Sequence, residues 1–170
     1  MTSLVLTIIA PDKPGLVELL SQTIASHQGN WLESSLSRLA GKFAGILIVS
    51  IPEAQAEPLS KALAELDAQG LKVVAERSQE PQLKTAYNSI NLALIGHDKP
   101  GIVKEISQAL TANKVNVERL STELVSGSMS AEELFKAEAH LLVPDTVDLD
   151  DLQQALENIA SDLMVDITLN

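Results

Sequence analysis

The sequence predicts an α+β chain built from two tandem βαββαβ units. Three observations carry that prediction. The tetrapeptide Asp-Lys-Pro-Gly occurs at Asp12–Gly15 and again at Asp98–Gly101, 86 positions apart in a chain of 170 residues. At the same shift Leu4, Leu6 and Ile8 fall on Ile90, Leu92 and Leu94, the one-face spacing of a strand. Val17, Leu20 and Ile24 fall on Val103, Ile106 and Leu110, the three-and-four spacing of a buried helix stripe. Two different periods stay in register together, so the halves are a duplication rather than a coincidence of composition.

Leu4 to Ala10 is a short apolar run rich in β-branched residues, and reads as a strand. Pro14 to about His27 follows as a helix: proline suits the first turn, and Asp12 can cap the free amides. Gly29-Asn30 breaks the chain. Trp31 to Arg38 is then a strand, Gly41-Lys42 a tight hairpin, and Ala44 to Ile51 the returning strand, stopped by Pro52. Gln55 to Ala68 reads as a helix with Leu59, Leu63 and Leu66 on one face, ended by Gly70. Leu71 to Glu76 closes the unit. Ser78 to Ala86 is polar, contains Pro81 and has no periodicity, which makes it a linker. The domains are therefore expected at 1–77 and 88–170, joined by 78–87.

The second half repeats the order. Asn88 to Gly96 is a strand, Pro100 to about Thr111 a helix, and Asn116 to Val125 and Leu134 to Val143 are strands. Leu149 to Ala160 is a helix and Leu163 to Leu169 the last strand. Pro144 follows Pro52 by 92 positions rather than 86, so the second hairpin is six residues longer, around Ser126 to Ala131. Two βαβ units per half, each with a right-handed crossover, give a four-stranded antiparallel sheet with two helices on one face, the ferredoxin-like arrangement. Halves of about 80 residues bury only roughly 60–65% of their unfolded surface. Each bare sheet face or edge therefore calls for a cover, the other half or a second chain.

Composition narrows the function. Apolar residues make up 45% and aromatics 2%, so the cores are Leu, Ile, Val and Ala. The absence of cysteine excludes disulfides and cysteine metal sites, and fits a reducing compartment. With no signal-peptide pattern and no apolar run near 18 residues, a soluble cytoplasmic protein is expected. The net charge of −11 and a pI near 4.6, with only 12 scattered basic residues, argue against direct nucleic-acid binding. Any action on DNA should pass through a protein partner.

A strand, then Asp-x-Pro-Gly-hydrophobic-Val opening a helix, then an Asn at the next strand, resembles the ACT domain. Here those residues are Asp12, Pro14, Gly15, Leu16, Val17 and Asn30, and again Asp98, Pro100, Gly101, Ile102, Val103 and Asn116. A stand-alone pair of this length resembles the glycine cleavage system transcriptional repressor family. That resemblance implies a regulator that binds small amino acids at interfaces between domains, with the strand-to-helix loop lining the site. It further implies glycine as the signal and a DNA-binding activator protein as the partner, without a cofactor; a homodimer is one expected assembly.

The loop chemistry suits such a ligand, because a helix start offers unpaired N–H groups and a positive dipole end to a carboxylate. The candidate ligand-binding residues are Asp12, Pro14, Gly15, Leu16 and Asn30, with His97, Asp98, Pro100, Gly101, Ile102 and Asn116. Each carries a plainer reading. Gly15 and Gly101 either admit a ligand carboxylate to the backbone or allow close helix–strand packing. Asp12 and Asp98 read first as helix caps and second as ammonium contacts. Asn30 and Asn116, beginning a strand next to the loop, either hold both ends of an amino acid or form a turn. His97 stands where the first half has Pro11, as an exposed loop residue, a ligand contact or a pH-sensitive group. Asp145, Asp148, Asp150 and Asp151 precede a helix at spacings that favour capping over cation binding.

Catalytic signatures are missing: no Gly-x-Ser-x-Gly elbow, no phosphate loop and no His-Glu-x-x-His. The sequence therefore reads as a non-enzyme without metal or cofactor. The alternatives are an oligomerisation scaffold without a ligand, or an enzyme using the Asp and His of the loops as acid and base.

Overall fold

The structure, a computed structural model, describes residues 1–78, 86–127, 129 and 132–170. The first half runs β1 (Thr2–Pro11), α1 (Leu16–Ser26), β2 (Asn30–Leu39), β3 (Lys42–Ile51) and α2 (Glu53–Glu65). A 3-10 turn (Leu66–Gln69) and β4 (Lys72–Arg77) complete it. The second half runs β5 (Tyr87–His97), α3 (Ile102–Ala112), β6 (Asn116–Ser126), β7 (Glu133–Pro144), α4 (Leu149–Leu163) and β8 (Val165–Leu169). Each half forms its own four-stranded antiparallel sheet, in the orders β2-β3-β1-β4 and β6-β7-β5-β8. The predicted ferredoxin-like architecture is the one observed, and the chain divides into two compact units, Met1–Pro81 and Gln82–Asn170.

Strand periodicity puts every second residue inside. Leu4, Leu6 and Ile8 of β1 and Leu47, Val49 and Ile51 of β3 lie buried against Leu16, Leu20 and Ile24 of α1 and Ala56, Leu59 and Leu63 of α2. Both helices therefore cover one face. The second half repeats this with Leu92 and Leu94 of β5 and Leu141 and Val143 of β7 under Ile102, Ile106 and Leu110 of α3 and Leu152 and Leu156 of α4. Burying one such side chain contributes about 1.5–3 kcal/mol before ordering entropy is counted.

The departures from expectation have local causes. The first helix of each half starts at Leu16 or Ile102, not at proline, because Gly15 (φ 90°) and Gly101 (φ 95°) are left-handed and cannot be helical residues. No side chain caps either helix start. Asp12 instead accepts a hydrogen bond from the Arg38 guanidinium at 3.3 Å, so the capping role expected of Asp12 and Asp98 is not taken up. The first hairpin turns on Ala40 and Gly41, both with positive φ as a type I′ turn requires, one residue earlier than Gly41-Lys42. Leu163 closes α4 rather than opening the last strand, because Met164 turns left-handed at the helix C-terminus. The acidic stretch behaves as expected of a cap: Asp150 N–H donates to Asp148 Oδ1 at 2.9 Å. Most of the linker at 78–87 and the tip of the longer hairpin at 126–131 fall outside the described residues.

Candidate functional site

The two Asp-Lys-Pro-Gly loops join the central strand of each sheet to a helix, as the spacing predicts. Leu19 N–H donates to Gly15 C=O and Glu105 N–H to Gly101 C=O, both at 2.9 Å, as the first bond of each helix. The N–H groups of Leu16, Val17 and Glu18, and of Ile102, Val103 and Lys104, are left without an intrahelical acceptor. A Cβ on Gly15 or Gly101 would meet nothing within 4 Å. Close packing is therefore not why glycine stands there; the left-handed φ requires it.

The loops are tied to their hairpins by Asp12 N–H to Gly41 C=O (3.0 Å) and Asp98 N–H to Glu133 C=O (3.3 Å). Their side chains differ. In the first half Asp12 pairs with Arg38, and Lys13 Nζ donates to the Gln69 carbonyl at 3.0 Å. In the second, His97 Nδ1 lies 3.0 Å from Glu132 Oε2, with both side chains exposed.

Around the first loop lies an open concavity of about 360 Å³, lined by the run Asp12–Glu18 and by Phe43. It brings together the candidate residues Asp12, Pro14, Gly15 and Leu16 and adds Phe43. Phe43 and Phe135 are the only phenylalanines and occupy matching positions once the six extra residues are counted, a signal the sequence held. The second half has a narrower apolar cleft of about 40 Å³ beside its loop, where Ile102, Val103 and Ser107 of α3 face Val117 and Leu120 of β6 and Ala139 of β7. Substitution at matching positions explains it. Trp31 packs on the first core where the second half has Val117, and fully buried Leu47 stands where the second has Ala139.

Asn30 and Asn116 do not join these loops. Asn30 pairs with Ser50 at one end of β3, whereas Pro11, next to the loop, pairs with Lys42 at the other. Eight residues of strand separate the ends, roughly 26 Å. Asn116 pairs with Leu142, distant along β7 from Leu134, the partner of His97. The sequence puts each asparagine one helix after the loop, and a helix of 11 residues carries the chain back across the sheet. Among the described residues no group of three or more metal-ligating side chains comes together. No helix among them is long and apolar enough to cross a membrane.

Two halves of one fold, each with a glycine at the helix start that follows its first strand, define a tandem of small α+β domains. ACT-domain family profiles match residues 2–76 and 85–161, and the chain belongs to the ACT-domain family as a tandem pair. Over 176 residues it is 24% identical to the glycine cleavage system transcriptional repressor of Escherichia coli (strain K12), covering 98% of this chain and 88% of that protein. The crystal structure of an unknown protein from Galdieria sulphuraria matches with a TM-score of 0.87 at 23% identity, covering 99% of this chain and 97% of that one. A protein provisionally assigned as a glycine cleavage system transcriptional repressor matches with a TM-score of 0.71 at 20% identity, covering 99% and 96%. At such identities the two structures speak for the fold alone.

Proposed function

We propose that this chain is a non-catalytic regulator that binds a small amino acid, glycine foremost, at its strand-to-helix loops and acts through a DNA-binding activator protein. The observation that carries the reading is the pair of left-handed glycines, each opening a helix whose first amides receive no side-chain cap, with nothing within 4 Å of where a glycine Cβ would stand. A carboxylate is the natural ligand of such amides. Asp12, Pro14, Gly15 and Leu16, with His97, Asp98, Pro100, Gly101 and Ile102, are the proposed contacts. The full-length similarity to a glycine cleavage system transcriptional repressor supports the regulatory role and glycine as the signal. The net charge of −11 supports an indirect route to DNA.

The test is thermal unfolding of the full chain with each of the twenty amino acids. A ligand at about 100 times its Kd adds roughly 2.7 kcal/mol to the folded state, so a selective rise with glycine is expected. Gly15→Ala and Gly101→Ala should lower the unliganded midpoint through strained φ and also shrink the ligand-induced rise. A full rise in both variants would remove the ligand from these loops. No rise with any amino acid in the wild type would leave a scaffold that acts by protein contact alone.

A further inference from the structure

The side of each sheet away from the helices differs between the halves at matching positions. In the first sheet Val5 lies between Ile48 and Glu76, Thr7 between Ile46 and Val74, and Ile9 between Ala44 and Lys72. Ile9, Ile46 and Val74 are 46%, 54% and 57% exposed, so aliphatic side chains surround Thr7 at the middle of this face. In the second sheet Ala93 lies between Glu138 and Thr168, and Ile95 between Lys136 and Asp166. Asn91 there faces His140. The same fold thus accepts Glu138 for Ile46, His140 for Ile48, Asn91 for Val5 and Thr168 for Val74. An antiparallel sheet with one solvated face is the ordinary case, and the second half shows it. The aliphatic face of the first half is not a demand of the fold, and a contiguous exposed apolar patch marks a contact surface.

We propose that this face is a homodimer interface, with the same face of a second copy as its occupant. The charges at its rim carry the choice. On β4 Lys72 and Glu76 flank Val74, and on β2 Glu33 lies across from Ile48. A two-fold axis in the plane between the sheets and across the strands lays β4 on the partner β4 in reverse. Val74, Thr7 and Ile46, which share one row, then meet their own copies, and each Lys72 meets the other Glu76, giving two ion pairs that flank a mainly aliphatic contact. A two-fold along the strands would set Glu76 over Glu33, carboxylate on carboxylate. The occupant this face requires is apolar, of sheet width, and bears an anion and a cation in reverse order. A second copy is all three, and isologous two-fold contacts are the commonest mode of assembly.

Sedimentation equilibrium of the full chain tests this. The wild type should be a dimer at concentrations on the order of 100 µM. Ile46→Glu with Ile48→His transplants residues that the second half already carries in the same fold. This double variant should stay folded by circular dichroism and weaken association by about tenfold or more. Should it fail to fold, the exposed pair decides: Lys72→Glu or Glu76→Lys alone should weaken the dimer, and both together should restore it. A monomeric wild type overturns the proposal, including one whose face proves to bind a different protein. A folded Ile46→Glu/Ile48→His chain that remains dimeric overturns it too, as does a double charge exchange that fails to restore association.

Discussion

The two halves share element order, strand register and the loop that opens the first helix, yet differ in what they place on either side of the sheet. Inside, the first half closes the seam between α1 and the edge of its sheet with Trp31 and Leu47, where the second leaves a cleft beside Val117 and Ala139. Outside, the first exposes aliphatic residues where the second carries charge. The fold tolerates both versions, so spacing specifies it and the identity of these side chains does not. What diverged between the copies is what each half presents to something else.

The largest effect should come from breaking the difference inside the first half. Leu47→Ala installs the side chain that the second half has at that position, without the larger Leu120 that faces it there in place of Ser34. Leu47 is completely buried, and such truncations cost about 2–5 kcal/mol, including the cavity left behind. Denaturant unfolding of the full chain should show that loss. A cost below about 1 kcal/mol would mean that the first core closes over the gap, and that the second half's cleft needs another explanation.

The reverse change sharpens the same comparison with a smaller effect. Ala139→Leu adds methylene bulk beside the 40 Å³ cleft and should stabilise by about 1 kcal/mol, as cavity filling commonly does. It should also remove any binding of a small apolar probe such as xenon, read by NMR. A lower midpoint would show that the seam is already close-packed around Ala139 and that the added carbons force strain.

The architecture was legible because it rests on periodicities of two and 3.6 that survive substitution of one aliphatic residue for another. The loops were legible as a repeated motif, and their gathering of Asp12, Pro14, Gly15 and Leu16 around one concavity follows from chain adjacency. Asn30 was misplaced because position in the chain is not position in space: α1 returns the chain to the far end of the sheet. The role of Gly15 was not legible either, since glycine for packing and glycine for φ look alike until a Cβ is built. The aliphatic outer face lay hidden in strands that read as nearly continuous apolar runs. The repeat puts Ile8 on one face with Leu4 and Leu6, but only burial shows that this face meets the helices and leaves Ile9 outside.

The smallest effect concerns a device in the first half alone. The Arg77 guanidinium donates to both oxygens of Glu53, one of the bonds at 3.0 Å, and holds β4 to the start of α2. Among the described residues of the second half no guanidinium pairs with a carboxylate; Lys136 stands 3.9 Å from Glu123 and 3.7 Å from Glu138. The hydrogen bonds from Arg77 lower the Glu53 pKa below its ordinary 4.5. A carboxylate with a depressed folded pKa stabilises above its unfolded value and loses that contribution as pH falls through the folded one. Glu53→Gln should therefore lower the midpoint slightly at pH 7, by no more than about 2 °C for an exposed pair. The difference from wild type should persist down to about pH 5 and close as the solution is acidified below the Glu53 pKa. High salt should narrow it at neutral pH, because both groups are open to solvent. A difference that survives both acid and salt would mean that Glu53 acts through packing at the helix start, and that the fork to Arg77 is incidental.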